Sequence, residues 1–454
     1  MPKKTLDHLT EDELLEELAR RKAERLGDDV TAIEDEIDDA AELVKQAILD
    51  QRLASLPEED DRPKRCPRCG RMVRVRRRKV ERTVRTRSGT LKLSRNYHYC
   101  GHCSSGFFPR DRELGLPEEG SVSFGLEKRI LDFGINDTFE EAASRWSLHY
   151  GWPISENLVR RVVDRVGKRI EYADDTYLQH ALSEPESRKS KLVLVQNDGS
   201  MLPTHEGWKE AKVGVIVRQE HHSSYQQVGR GHVSEARYVA VLGGQEEFKT
   251  ALDKALRVER ARKAGRIVWL ADGALGNWRL ANDLAPGCIK ILDWYHAVEA
   301  AMDCAKALLW DCPELQPLWY KVCCRLLIHG QVETLLEQLM ECMGLTDQQG
   351  LVAINDLVRY YRNNRLRMNY PQYLRDGLPI GNGVAESSHR HVLQVRMKRA
   401  GQRWSLPKGR RMARLRAAYR KAGPGRLHRA IRIAAEATRV AALPQRQRLR
   451  ASNR

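Results

Sequence analysis

The sequence predicts an α/β chain built from several domains, and three observations carry that reading. From about residue 190 to 296, short apolar runs with strand character alternate with stretches of helical period. Near the N-terminus, two Cys-x-x-Cys pairs bracket an arginine-rich hairpin pattern. Positive charge is gathered into two blocks and not spread along the chain.

The 454 residues correspond to roughly two to four domains at ordinary domain sizes. With 41% apolar residues the chain can bury a real core. No apolar run reaches the ~20 residues that cross a bilayer. The start, Met-Pro-Lys-Lys followed by acidic helical sequence, lacks the apolar stretch of a signal peptide, so a soluble intracellular protein is expected. The net charge is +17. Residues 62–100 carry 15 Lys/Arg against the single acid Glu81, and residues 387–454 carry 20 against the single acid Glu436. These blocks hold +14 and +19, which leaves −16 for the rest of the chain. Such segregation points to surfaces that bind a polyanion, beyond a general solubility charge. Neither block pairs with an amphipathic aromatic helix, which disfavours a membrane surface.

Residues 6–54 read as helical, a hairpin or short coiled coil, with Leu14, Leu15, Leu18, Val44, Ile48 and Leu53 among dense charges. After the acidic linker 56–61, Cys66-Pro-Arg-Cys69-Gly forms one knuckle and Cys100-Gly-His-Cys103 another. Between them, Val80–Arg87 and Thr90–Arg95 flank Ser88-Gly89 as a β-hairpin. Cys66, Cys69, Cys100 and Cys103 suit tetrahedral zinc in a ribbon, with His98 or His102 as possible substitutes and a disulfide as the alternative. Arg76, Arg77 and Arg85 in this module are candidate phosphate contacts. The other six cysteines, Cys288, Cys304, Cys312, Cys323, Cys324 and Cys342, sit in apolar stretches and read as core thiols. Thr138 and Glu141 spell a capping box. The helix it starts ends near Leu148, Gly151-Trp-Pro153 turns, and a second helix begins at Ser155. Arg160, Arg161 and Arg165 face away from its apolar side, which is a helix-turn-helix pattern; two packed helices without a DNA role are the alternative.

Leu192–Val195, Lys212–Val217 and Tyr238–Leu242 read as strands, followed by a helix over Glu246–Ala261. Ile267–Leu270 and Ile289–Leu292 are two more strands, separated by a short helix around Trp278. Three strands, a helix, then strands alternating with helices give a mixed sheet, in the order expected of a ribonuclease H-like fold. Residues 297–375 then turn fully helical, 377–383 form a loop, Val384–Arg399 form a helix, and the basic tail carries a helix near 426–441.

Asp198, Asp272 and Asp293 each follow one of these strands, so all three should lie on one rim of the sheet. Glu386 opens the helix after the Gly-Asn-Gly loop. Phosphodiester cleavage must activate an attacking oxygen and stabilise a leaving one, and two magnesium ions about 4 Å apart do both. Magnesium takes oxygen ligands and keeps several waters, so a few carboxylates suffice. Each Asp-Gly alone reads as the turn that ends a strand, and it is the three acids in order on this fold that favour a site. Asp293 and His296, three residues apart, share a helix face and read either as a cap or as groups that position the scissile phosphate.

The ordered set Val195-Gln-Asn-Asp198-Gly, Ala271-Asp272-Gly-Ala, Leu292-Asp293-Trp-Tyr-His296-Ala and Ile380-Gly-Asn-Gly-Val-Ala-Glu386-Ser resembles the DDE transposases with a D-x-x-H motif, a group that includes Mutator-like and hAT-like enzymes. Its wording is most similar to bacterial insertion-sequence transposases of the ISKra type, and Arg396–Ser405 has the same look. The resemblance covers roughly residues 60–415. It implies a metal-binding triad of Asp198, Asp272 and Glu386 holding two Mg2+ (or Mn2+) ions, with Asp293 and His296 as an accessory pair. It also implies a ribonuclease H-like domain interrupted by an all-helical insertion, in which Trp310 and Trp319 either pack in the core or stack on a flipped base. Arg390, Arg396 and Lys398 follow Glu386 by four, ten and twelve residues and are candidate DNA contacts, Arg390 alternatively pairing with the glutamate.

The expected organisation is a helical region 1–62, a zinc ribbon 63–110, a helix-turn-helix region 111–185, catalytic segments 186–296 and 376–420 around the insertion 297–375, and a basic tail 421–454. The expected function is that of an insertion-sequence transposase, cytoplasmic and associated with the bacterial nucleoid. It would bind terminal inverted repeats and target DNA as at least a dimer, cut, and join the 3′-hydroxyl. The alternatives are a ribonuclease H-fold nuclease or resolvase without strand transfer, and a domesticated DNA-binding protein.

Overall fold

The structure is a computed structural model that describes residues 10–182, 190–223, 232–381 and 383–441. The chain divides into two compact units, Met1–Arg129 and Ile130–Arg454. Among the described residues no helix is long and apolar enough to cross a membrane.

In the first unit, α1 (Glu11–Ala23) starts on a Thr10–Glu13 capping box, and α2 (Val30–Ala54) starts on Asp29. Neither helix buries a residue fully. The far end of α2 docks on the small sheet: Gln46 donates to the Thr90 carbonyl (3.0 Å) and accepts from the Thr90 amide (2.7 Å). Strands β1 (Lys64–Arg65) and β2 (Met72–Val73) form the first knuckle, and β3 (Val75–Thr86), β4 (Gly89–Cys100) and β5 (Ser105–Phe107) form an antiparallel sheet in that order. The hairpin turn falls at Ser88, as expected, but β3 begins earlier and is bulged between Val75 and Val80. Val84, Leu91 and Leu93 pack with Leu49, Leu53, Leu114 and Leu116. Two arginines of the basic hairpin are engaged internally. Arg82 and Arg95 both pair with the buried Asp111, which lies on α3 (Pro109–Glu113).

Helix α4 (Phe124–Asn136) contains the division between the units. In the second unit, α5 (Phe139–Tyr150) has the expected Thr138–Glu141 box and ends at Gly151. There φ is +69°, a left-handed value that a side chain makes costly. Helix α6 (Glu156–Tyr172) buries Leu158, Val159, Val162, Val163, Val166 and Ile170 along one face, the stripe its sequence spacing requires. Helix α7 (Asp175–Leu182) follows.

The large sheet contains β6 (Leu192–Thr204), β7 (Gly207–Arg218), β10 (Arg237–Leu242), β11 (Arg266–Ala271) and β12 (Ile289–Leu292), in the order β10-β7-β6-β11-β12. The two-residue strands β8 (His222–Ser223) and β9 (His232–Val233) pair separately. Strands β6, β7 and β10 are antiparallel neighbours, whereas β6, β11 and β12 run parallel. Helices α8 (Gln245–Val258) and α9 (Leu275–Leu284) provide the connections. The fold is therefore mixed α/β around a mixed sheet. Leu192–Val195 is buried on both faces, as a continuous apolar run in a covered sheet should be.

Helices α10 (Trp294–Leu308), α11 (Gln316–Ile328), α12 (Val332–Cys342), α13 (Gln348–Asn364) and α14 (Tyr370–Arg375) form the expected helical stretch. Cys304 and Cys323 are buried in it, while Cys288, Cys312, Cys324 and Cys342 are only half-buried. Trp310 is 63% exposed, so core packing does not account for it; Trp319 is half-buried. Helix α15 (Gly383–His389) widens into a π-turn over Arg390–Gln394 and closes with α16 (Val395–Met397). Helix α17 (Leu406–Ala441) bends at Gly423 and packs on α6, α7 and β10.

Candidate active site

Strand register builds the site. Leu270 of β11 lies beside Gln196 of β6, and Ala271 lies beside Leu292 of β12. Continuing these registers brings Asp272 level with Asp198 on one side and Asp293 on the other. Asp198 is not at a strand end as its Asp-Gly context predicts. Strand β6 runs on to Thr204, and Asp198 faces Val213 of β7. It reaches the rim because its parallel neighbour stops there.

A buried network orients Asp272. The Trp269 indole donates to Asn197 (2.8 Å), Asn197 donates to Asn277 (2.7 Å), and Asn277 donates to the Asp272 carboxylate (2.7 Å). The Ala274 amide donates to the same oxygen (3.0 Å). From the helical stretch, Tyr360 donates to the Asp272 carbonyl (2.7 Å), Asn364 accepts from the Trp278 indole (2.9 Å), and Tyr370 donates to the Leu292 carbonyl (3.2 Å). Three polar side chains of α13 and α14 thus hold the rim of the sheet or the helix beside it.

Asp293 is fully buried and caps α10, accepting from the His296 amide (3.0 Å) and from His296 Nδ1 (2.6 Å). That bond raises His296 to about 9, so the ring is an imidazolium at neutral pH. Glu386 is exposed near the start of α15, which the Ala385 amide anchors to Gln196 of β6 (2.9 Å). Ligand atoms of Asp293, His296 and Glu386 lie within 4.8 Å of one another. Burial raises the Asp198 carboxyl, and the Asp272 charge adds to this while His389 and His296 oppose it. Burial likewise raises Glu386, with Asp293 and Asp198 adding to it. Among the described residues no lysine or arginine is ion-paired with Asp198, Asp272 or Glu386. Carboxylates without lysine or arginine partners are a donor set that could hold a hard divalent cation.

The second candidate metal centre is in the first unit. The sulfurs of Cys66, Cys69, Cys100 and Cys103 all lie within 4.8 Å of one another, with Cys66–Cys103 and Cys69–Cys100 at 3.5 Å. Four thiolates 2.3 Å from a tetrahedral zinc stand about 3.8 Å apart, so this cluster could hold a zinc ion. No disulfide joins them. His98 is turned to the Val73 carbonyl (3.1 Å) and His102 is exposed, so the four-cysteine set needs neither.

A family model, described as an uncharacterised protein family (UPF0236), matches residues 30–434. The chain belongs to UPF0236. No curated protein matches it. Among solved structures, the Drosophila P element transposase strand transfer complex is similar over 68% of this chain and 81% of that chain, with 10% identity and a TM-score of 0.26.

In this UPF0236 chain, most residues expected to meet DNA lie at the surface. Arg76, Arg77, Arg85, Arg160, Arg161, Arg390 and Lys398 are exposed. Arg160 pairs with Glu156, and Arg161 donates to the Asn157 carbonyl (3.3 Å). No ion pair joins Arg390 to Glu386 among the described residues. Arg396 is a correction. It is fully buried, with its guanidinium over the rings of Phe139 (5.0 Å) and Trp404 (5.2 Å), and burial lowers it to about 10. Asn382 of the Gly-Asn-Gly loop lies outside the described residues.

Sequence reasoning missed His389. It is buried, approaches Ser200 Oγ at 3.4 Å, and is among the groups acting on Asp198. Its position three residues after Glu386 was the available signal. It also missed Asn197 and Asn277, whose role depends on a contact 80 residues apart in the chain.

Proposed function

We propose that this chain is a DNA transposase that cuts and joins DNA at a centre formed by Asp198, Asp272 and Glu386. The observation that carries the reading is the alignment of Asp198, Asp272 and Asp293 at one level of three adjacent parallel strands, with Glu386 brought beside Asp293 and His296 on a helix bonded to β6. Numbering the strands of the large sheet by their appearance gives 3-2-1-4-5, the first three antiparallel and the last two parallel to the first. That order supports a ribonuclease H-like catalytic domain, with α10–α14 as the insertion before the glutamate. The motif order supports the insertion-sequence DDE group within it.

Asp198, Asp272 and Glu386 are assigned as ligands of two magnesium or manganese ions. When bound, such ions activate the attacking oxygen and stabilise the leaving one. Asn277 fixes the Asp272 carboxylate for that role. Asp293 holds His296 charged and oriented, and in this reading the imidazolium steadies a phosphate near the carboxylates. The zinc module, the α5–α6 pair as a helix-turn-helix, and the basic blocks are assigned to terminal inverted repeats and target DNA. Assembly on two element ends calls for at least a dimer.

The test is Asp198→Asn on cognate DNA ends. The variant should lose magnesium-dependent cleavage and 3′-end joining while binding DNA as tightly as the parent. Cleavage by the variant would sink the assignment. Cleavage without joining by the parent would move the reading to a nuclease or resolvase.

A further inference from the structure

The first unit carries a concavity of about 460 Å³ lined by Arg76, Arg77, Val80, Tyr97, Tyr99 and Phe108. Three aromatic rings, two guanidinium groups and no carboxylate form this lining. It lies beside a local strand irregularity. Strand β3 is bulged on either side of Arg77, between Val75 and Val80, with Lys79 at φ +50°. In β4, His98 points inward, so Tyr97 and Tyr99 share the outward face. Arg77 lies opposite Tyr97, and Gly106 lies opposite Tyr99. A Cβ at Gly106 would collide with the Tyr97 hydroxyl and ring, so the glycine is what lets that ring lie across β5.

Tyr97 and Phe108 have centroids 5.2 Å apart. Arg95 covers the Phe108 ring at 3.6 Å. Tyr99 is 37% exposed, with the Arg76 guanidinium 5.2 Å from its ring centre. Neither Arg76 nor Arg77 is ion-paired among the described residues. Duplex phosphates need only the cations. Partly exposed rings beside arginines without acidic partners match a ligand that is planar and uncharged at one end and anionic at the other, which is an unpaired nucleotide. A base stacks on each aromatic face whatever its sequence, while arginine holds the adjoining phosphate.

We propose that this face of the zinc module is a binding site for unpaired nucleotides, with the base on Tyr97 and Tyr99 and the backbone on Arg76 and Arg77. The inference rests on the proposed action on DNA, since separated strands occur where DNA is opened for cutting and joining. It assigns the module a preference for single strands over duplex.

The experiment uses the full chain with zinc bound and a single-stranded oligonucleotide carrying 2-aminopurine, beside the matched duplex. The parent should quench the 2-aminopurine. Tyr99→Leu should bind the single strand roughly tenfold more weakly and lose the quench, with duplex affinity and zinc content unchanged; Tyr99→Phe should behave as the parent. The double variant Arg76→Ala, Arg77→Ala, both exposed, should lower the salt slope of single-strand binding by about 1.4. Parent-like quenching and affinity in Tyr99→Leu, an equal loss on duplex, or an unchanged slope in the arginine variant would overturn the site. A parent that quenches but does not cleave with magnesium refutes the transposase reading alone. A cleaving parent whose Tyr99→Leu variant still quenches refutes this inference alone.

Discussion

Contact with Asp293 turns His296 from a group that titrates near neutrality into one still charged at pH 8, because its value rises to about 9. The folded value exceeds the unfolded one, so the pair's contribution is fully present below about pH 6.5 and is lost as pH rises through 9. In chelator, urea unfolding of the parent should show stability falling by about 2 kcal/mol across that window, after allowance for the partly exposed ring. His296→Gln should flatten the dependence. A parent whose stability rises or stays level over this range would show that the imidazolium is not held by Asp293. The chemistry of this pair was legible from Asp-x-x-His spacing at a strand-to-helix junction, since both residues belong to one local turn. The Asp198 environment was not legible. Its Asp-Gly sequence looks like a turn, and only the length of β7 opposite shows that β6 continues past it. The burial of Arg396 was not legible for a related reason: it involves Phe139, more than two hundred residues earlier in the chain.

At the scale of elements, the site is held by interactions between segments. The Trp269–Asn197–Asn277–Asp272 chain of hydrogen bonds links β11, β6 and α9. Removing one member leaves buried polar groups without partners, at about 1–3 kcal/mol. Asn277→Leu should therefore lose stability on that scale and cut less, through weakened magnesium affinity more than through DNA binding. A magnesium titration of cleavage tests this; an unchanged midpoint would reduce the network to packing. The helices themselves were readable. Thr138 and Glu141 specify a capping box by local chemistry, and α6 shows its buried stripe in its spacing. The N-terminal region 6–54 shows the limit. A coiled coil and a docked helix carry similar patterns, and Gln46 with Leu49 and Leu53 determines that the end of α2 lies on the small sheet.

At the scale of the whole molecule, the chain divides into two compact units. In the first unit Cys66, Val73, Cys100 and Phe107 form one cluster, with Cys69 and Cys103 packed against it, and a cluster this small calls for a crosslink such as a zinc ion on the four thiols would supply. Zinc chelation, or Cys100→Ser, should abolish an early thermal transition of the first unit while leaving the transition of the large sheet in place. A single transition shifted as a whole would show instead that the units unfold together. The amino-acid sequence by itself determined the local signals: strand and helix periods, caps, Cys-x-x-Cys pairs, segregated charge and an ordered set of acids. Each depends on neighbours within a few residues, so each can be read along the chain. Tertiary structure alone decided where β6 ends relative to β11, that Asp198, Asp272 and Asp293 share a level, that His389 joins them, and that Arg396 leaves the surface. Those facts depend on register and on contacts between distant segments, and no local pattern encodes them.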